Sequence, residues 1–189
     1  MNVNTVDYEE SFRRWKSLIE NGNLAYSQRR YAAAETAFGE ALKEAESWPS
    51  HGAGEMQSEI DARLTKSLNN MAALYHSQGK YKMAEDLYLK ALDIKRRLYP
   101  EENEEIAVAL QNLAILYSAK RDYTQAEAYF IRTLQILEKV HGNDHPDLAK
   151  ALQKYAIVLD KLGRPEDSKK LESRAMKILG DKASDSTPE

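Results

Sequence analysis

The sequence predicts an all-α protein, a right-handed α-solenoid of about four helix hairpins, and three observations lead there. First, the stretch LNNMAALYHSQGKYKMAEDLYLKALDIKRRLYP returns further along the chain. Ala126 stands 42 positions after Ala84, and the same step carries Leu68, Asn70, Tyr75, Tyr81 and Ile94 onto Leu110, Asn112, Tyr117, Tyr123 and Ile136. Self-similarity at a period of a few tens of residues marks a stacked array whose units bury their apolar faces against neighbours. Second, Leu68, Met71, Ala72 and Tyr75 fall on one helical face, and Tyr81, Ala84, Tyr88 and Ala91 begin a second such face after Gly79. Third, 189 residues contain only 8 Gly and 5 Pro, and the abundance of Ala, Leu, Glu and Lys favours helix. Small Ala72 and Ala84 allow close approach of two backbones, while Tyr75, Tyr81 and Tyr88 fill the surrounding space with their hydroxyls kept near water.

Taken in order, residues 1–6 are expected to be disordered. Asp7, followed three positions later by Glu10, has the form of a capping box and opens a helix to about Gln28, anchored by Phe12, Trp15, Leu18 and Ile19. Tyr31, Ala34, Phe38 and Ala41 supply its partner, giving a first repeat over about 7–47 whose turn carries Arg29 and Arg30 where the next carries glycine. Ala34 to Ala84 is 50 positions, and the surplus falls in SWPSHGAGEM, where Pro49, Gly52 and Gly54 predict an extended loop. Tolerated decoration is the simpler reading of that 48–56 loop; a ligand lid or partner contact is the alternative.

The second repeat covers about 57–99 and the third about 101–140. Pro100, Glu101, Glu102, Glu104 and Glu105 are placed in the first turn of the next helix, where acids meet the positive end of its dipole. Arg121 and Thr133 replace Gly79 and Ala91, which weakens those contacts. The fourth repeat, about 144–180, starts at Asp144 and Pro146, and its Ala151, Leu152, Ala156 and Ile157 echo Ala109, Leu110, Ala114 and Ile115. In its second helix Pro165, Ser168 and Glu172 stand where tyrosine, alanine and an aromatic stood, as a terminal cap requires. Leu171, Ala175, Met176, Ile178 and Leu179 keep an inward stripe, Gly180 is expected to end the helix, and 181–189 form a polar tail expected to be disordered. Residues 7–180 are read as a single domain.

Ala72, Tyr75, Gly79, Tyr81, Ala84, Tyr88 and Ala91 resemble the consensus of the tetratricopeptide repeat. The form LNNMAALYHSQGKYKMAEDLYLKAL, closed in the next unit by HGNDHPDLAKAL, is similar to the longer repeats of kinesin light chains and their bacterial relatives. The resemblance implies a protein–protein interaction module, an adaptor or scaffold, that holds a segment of another protein in a concave groove.

In such a stack the first helix of each hairpin lines the inner surface. On the wheel of the third unit, Leu110, Leu113, Ala114 and Tyr117 form the buried side, leaving Val108, Gln111, Asn112, Ile115 and Ser118 opposite. The equivalents are Lys66, Asn69, Asn70, Ala73 and His76 in the second unit and Lys150, Gln153, Lys154, Ile157 and Lys161 in the fourth. The first contributes Lys16, Asn23 and Tyr26. Amides can pair with any extended backbone and lysines attract carboxylates, so the expected ligand is an extended or short helical peptide, preferably acidic. Asn112, Lys150 and Lys154 also match part of the carboxylate clamp of chaperone-binding members, although Asn69 and Ala73 stand at its remaining lysine and asparagine. Self-association through the final helix, by Leu171 and Ile178, is a second reading.

No catalytic constellation, phosphate loop, dinucleotide fingerprint or strained serine elbow is present, so a non-enzymatic protein without cofactor is expected. His141 and His145 have a zinc-like spacing, but further ligands are lacking nearby and a loop is the better reading. The absence of cysteine excludes disulfides and thiolate chemistry. A net charge of −3 and a pI near 5.9 argue against general nucleic-acid binding. No apolar run is long enough to span a bilayer and the first residues lack the features of a secretory signal, so a soluble, cytoplasmic protein is the expectation.

Overall fold

Apolar residues spaced by three and four wind the chain into helices wherever the sequence places them. The structure, a computed structural model, describes residues 5–47 and 55–184, with side chains for 9–47 and 57–180. Among these residues there are eight α-helices and no strand: α1 (Thr5–Ser27), α2 (Tyr31–Glu46), α3 (Glu55–Ser77), α4 (Tyr81–Leu98), α5 (Glu104–Ala119), α6 (Tyr123–His141), α7 (Pro146–Lys161) and α8 (Pro165–Ser184). The fold is all-α, of the α-solenoid class. The expected disorder of 1–4 and 185–189, and most of the 48–56 loop, lie outside the described residues, although α1 already begins at Thr5 and α3 at Glu55.

All four hairpins turn in one way. Arg29, Gly79, Arg121 and Gly163 adopt positive φ, at 59°, 73°, 62° and 74°. The amide after each donates to a carbonyl five residues back: Arg30 to Ala25 at 2.9 Å, Lys80 to Tyr75 at 2.9 Å, Asp122 to Tyr117 at 3.0 Å and Arg164 to Leu159 at 2.9 Å. This is the Schellman ending, in which a left-handed residue lets the last carbonyls find donors. Arginine therefore substitutes for glycine in the first and third turns without changing the backbone, at the cost of left-handed strain.

The chain divides into two compact units, Met1–Ile94 and Lys95–Glu189, with the division inside α4. In the first unit α2 packs between α1 and α3. Trp15, Ile19, Ala34, Phe38, Ala41, Met71 and Leu74 form its core, with Phe12, Leu18, Tyr75 and Leu87 packed against it. Trp15 satisfies its indole by donating to Ser67 Oγ at 2.9 Å. Gly22 lies where α1 meets Phe38; a Cβ there would fall 2.3 Å from the ring. Its equivalents Ala72, Ala114 and Ala156 are fully buried. Tyr75 keeps its hydroxyl at the surface, 3.2 Å from Glu35 Oε1. Tyr88 does not: it is buried, and burial pushes its hydroxyl up to about 12, because the aromatic position of the second helix is an inner one.

In the second unit α6 packs on α5 and α7, and α7 on α8. Phe130 stacks on Tyr155 with centroids 5.8 Å apart, and the Tyr155 hydroxyl donates to Glu127 Oε1 at 2.6 Å. Burial, then Glu127, raises the Tyr155 pKa above that of an ordinary tyrosine. Arg164 joins the same carboxylate oxygen at 2.6 Å, and Arg174 donates to Glu138 at 2.6 Å and to Asn143 at 3.0 Å, fastening α8 to the end of α6. Thr133 is buried but satisfied, its Oγ1 donating to the Tyr129 carbonyl at 2.9 Å. Lys95, also buried, places its ammonium 2.6 Å from Glu105 Oε2 and 3.2 Å from the Glu105 carbonyl.

Four local expectations need correction. Pro100, Glu101 and Glu102 precede α5, which starts at Glu104 under the Asn103 side chain, an acceptor for Glu105 N at 2.8 Å. His145 rather than Asp144 caps α7, its Nδ1 accepting from Asp147 N at 3.3 Å with Pro146 in the first turn. Gly180 does not end α8, which continues to Ser184, because a single glycine costs a helix only about 1 kcal/mol. In the inward stripe of α8, Ala175 and Ile178 are buried and Leu171 is half-buried, but Met176 and Leu179 face water.

Candidate functional site

In the second unit α5 and α7 bury one side and expose the other. Leu110, Leu113, Ala114 and Leu116 are buried in α5, and Leu152, Tyr155, Ala156 and Val158 in α7. Opposite them Val108 is 44% exposed, and Gln111, Asn112, Ile115 and Ser118 are half-buried. From α7, Lys150, Gln153, Lys154 and Lys161 are exposed, and Ile157 is 57% exposed. The two faces meet where Lys154 Nζ donates to Gln111 Oε1 at 3.2 Å. An open hollow of ≈ 170 Å³ lies beside this contact. Ala107, Val108 and Leu137 give its apolar wall, and Glu104, Gln111, Asp147 and Lys150 complete the lining. Lys150 Nζ stands 2.8 Å from Asp147 Oδ1, and that hydrogen bond holds the Asp147 carboxyl below its usual pKa. The hollow was not legible in the sequence because Leu137 and Glu104 lie outside the wheel face that selected the other residues.

In the first unit the corresponding residues fall on α1 and α3. Lys16, Asn23, Tyr26 and Lys66 are exposed, while Asn69, Asn70, Ala73 and His76 are half-buried. Tyr26 lies 6.0 Å from the Tyr31 ring and His76 5.9 Å from that of Tyr81. Lys66 Nζ sits 5.6 Å from the centroid of the Trp15 ring, within reach of a cation–π contact. Burial lowers the His76 pKa, which favours the neutral ring at pH 7. The amides are less open than a wheel suggests. Asn69 Oδ1 and Asn70 Nδ2 are enclosed and have no hydrogen-bond partner among the described residues. Both asparagines sit between buried Leu68 and Met71, so packing covers part of each side chain.

His141 and His145 come together as stacked rings with centroids 4.2 Å apart, and His141 Nε2 stands 3.2 Å from Glu104 Oε2. Among the described residues no three histidine, aspartate or glutamate side chains are grouped to hold a metal. No helix among the described residues is long and apolar enough to cross a membrane. His51 lies outside the described residues.

Comparison with known proteins adds a family. The tetratricopeptide repeat family model matches residues 63–128 and 105–181. No curated protein matches the chain. Among solved structures it is similar to BtubC (BKLC) from P. vanneervenii, with TM-score 0.62, 19% identity and coverage of 98% of this chain and 87% of that one. It is similar to the apo form of RapI, with TM-score 0.74, 19% identity and coverage of 90% and 44%, so it spans less than half of RapI. It is also similar to a Podosopora anserina protein described as a kinesin light chain with nearly identical TPR-like repeats, with TM-score 0.72, 16% identity and coverage of 89% and 76%. These likenesses are of fold. With the family model matching well over half of the sequence, on the same hairpins that the helices and their shared turns define, the chain belongs to the tetratricopeptide repeat family.

Proposed function

We propose that the protein is a non-enzymatic interaction module, a cytoplasmic adaptor or scaffold, holding an extended or short helical segment of a partner against the first helices of its hairpins. The observation that carries this reading is the outward side of α5 and α7. Exposed Val108 and Ile157 are set among Gln111, Gln153 and Lys154, beside an open hollow of ≈ 170 Å³. Apolar groups left in water among amides suit a ligand that brings both side chains and unpaired backbone groups. The hollow is large enough for one bulky side chain, since a cavity of about 150 Å³ holds a benzene ring.

The lysines refine the partner. On α7, Lys154 and Lys161 are exposed and favour an acidic segment, whereas Lys150 is engaged by Asp147. A carboxylate clamp is the less supported form of the idea, because Lys150 and Lys154 both have partners within the chain.

Selection of binding peptides from a displayed library supplies the probe, and fluorescence anisotropy measures its affinity. Val108→Glu, Ile157→Glu and Asn112→Ala are each expected to weaken it by about tenfold with unchanged helicity. Equal affinity for all three variants would remove this face from consideration.

A further inference from the structure

The 42-residue period sets each hairpin on the next, and it places Lys95 on Leu137 and Glu105 on Asp147. Asn103 and His145, which cap α5 and α7, are equivalent as well, so both acids stand in the first turn of helices that begin alike. In the earlier pair the cation and the acid meet. Lys95 is buried and brings its ammonium 2.6 Å from Glu105 Oε2 and 3.2 Å from the Glu105 carbonyl.

One repeat later the acid is kept and the buried cation is gone. Leu137 and Asp147, the equivalents of that pair, both border the open hollow of ≈ 170 Å³. The cation that Asp147 does meet is of another kind: Lys150 reaches it from three residues along the same helix and is 64% exposed at its side chain. Such a surface pair contributes less than about 1 kcal/mol. Glu104 adds a second carboxylate to the lining, with His141 Nε2 3.2 Å from its Oε2. A carboxylate offers about four lone-pair sites, so one neighbour leaves each acid able to accept more. Two carboxylates against one ammonium give the lining a surplus of negative charge, above a wall of Ala107, Val108 and Leu137.

We propose that the hollow is the subsite for a lysine side chain of the bound segment, its stem against Val108 and Leu137 and its ammonium at Asp147 and Glu104. The chain fills the equivalent place one repeat earlier with its own Lys95; here the partner supplies the cation. The place of this lysine within a segment rests on the reading of the α5 and α7 face given above, and it gives that segment a polarity. Lys154 and Lys161 stand about 10 and 20 Å further along α7, at about 1.5 Å per residue. Acidic residues of an extended segment therefore fall about three to six positions from its lysine, at about 3.3 Å per residue.

The test uses the Nα-acetyl N-methylamides of lysine, norleucine and glutamate, titrated to about 50 mM, because so small a ligand binds in the millimolar range. Methyl chemical shifts of Ala107, Val108 and Leu137 report occupancy. The lysine probe is expected to move them saturably, with norleucine about threefold weaker or more and glutamate without effect. Glu104→Gln should weaken the lysine probe about threefold, and Lys150→Val, which frees Asp147, should strengthen it by a similar factor. Leu137→Lys, which restores the cation of the preceding repeat, should abolish its binding. Unmoved methyls, norleucine binding as well as lysine, or Lys150→Val weakening the lysine probe would each overturn the proposal. Peptides that still lose affinity with Ile157→Glu would then leave the face standing without this subsite. Conversely, a lysine probe that fills the hollow while peptides ignore Ile157→Glu keeps the subsite and removes the face.

Discussion

Trp15 of α1 donates its indole N–H to Ser67 Oγ of α3 at 2.9 Å, joining helices whose residues are 52 positions apart. Both residues are buried, so neither polar atom has water as an alternative. Ser67→Ala strands the indole donor, and a loss of about 1–2 kcal/mol is expected. Trp15→Phe in the Ser67→Ala background should cost less than the sum of the single changes. Urea titrations of the four proteins measure the coupling.

Glycine acts in two different ways here. At Gly22 the constraint is space, since a Cβ would stand 2.3 Å from Phe38 Cε1. Gly22→Ala is expected to destabilise by about 1–3 kcal/mol despite alanine's better helix propensity. At Gly79 the space is open and the constraint is the φ of 73°. Gly79→Ala should cost about 1 kcal/mol, and Arg121→Gly, at the equivalent turn, should gain about 0.5 kcal/mol. Thermal melts distinguish the three, and a gain from Gly22→Ala would contradict the close approach of Phe38.

Lys95 is 6% exposed at its side chain and rests on Glu105, which is 51% exposed. Removing the acid leaves a buried ammonium with only the Glu105 carbonyl. Glu105→Ala is expected to destabilise by about 1–2 kcal/mol, a figure reduced from that of a fully buried pair by the exposure of Glu105. Lys95→Met should be nearly neutral and should abolish the effect of Glu105→Ala. Chemical denaturation of the double mutant checks this.

His76 has a pKa lowered by burial from the ordinary 6.5. Below 6.5 the unfolded chain takes up a proton that folded His76 resists, so stability falls as pH drops through that value. The fall ends once pH passes below the folded pKa. His76→Gln should therefore lose less stability than wild type between about pH 7.5 and pH 5. Unchanged pH dependence in urea midpoints would show that the ring titrates freely in the fold.

The hairpin architecture was legible because spacing fixes it: Ala72, Ala84, Ala114 and Ala126 recur with their apolar neighbours, and all four are fully buried. Helix starts were less legible: Asn103 caps α5 behind the acidic run expected in its first turn, and His145 caps α7 beside Asp144. A wheel also ranks residues on one helix without knowing what lies next to it. That is why Met176 and Leu179 read as inward although no helix among the described residues covers them. The same limit applies to Asn69 and Asn70, which belong to the expected face but have atoms enclosed by packing. The hollow beside Gln111 is invisible to a single wheel because three helices build it.

The turn shared by Arg29, Gly79, Arg121 and Gly163 bears on how such a chain can lengthen and diverge. Its shape is imposed by the helices on either side, so duplicated copies can drift in identity at the tip without shifting the spacing of the helices beyond it. Mutational change there leaves the register of every later segment intact, and ancestry remains readable in the period after it has faded from the residues.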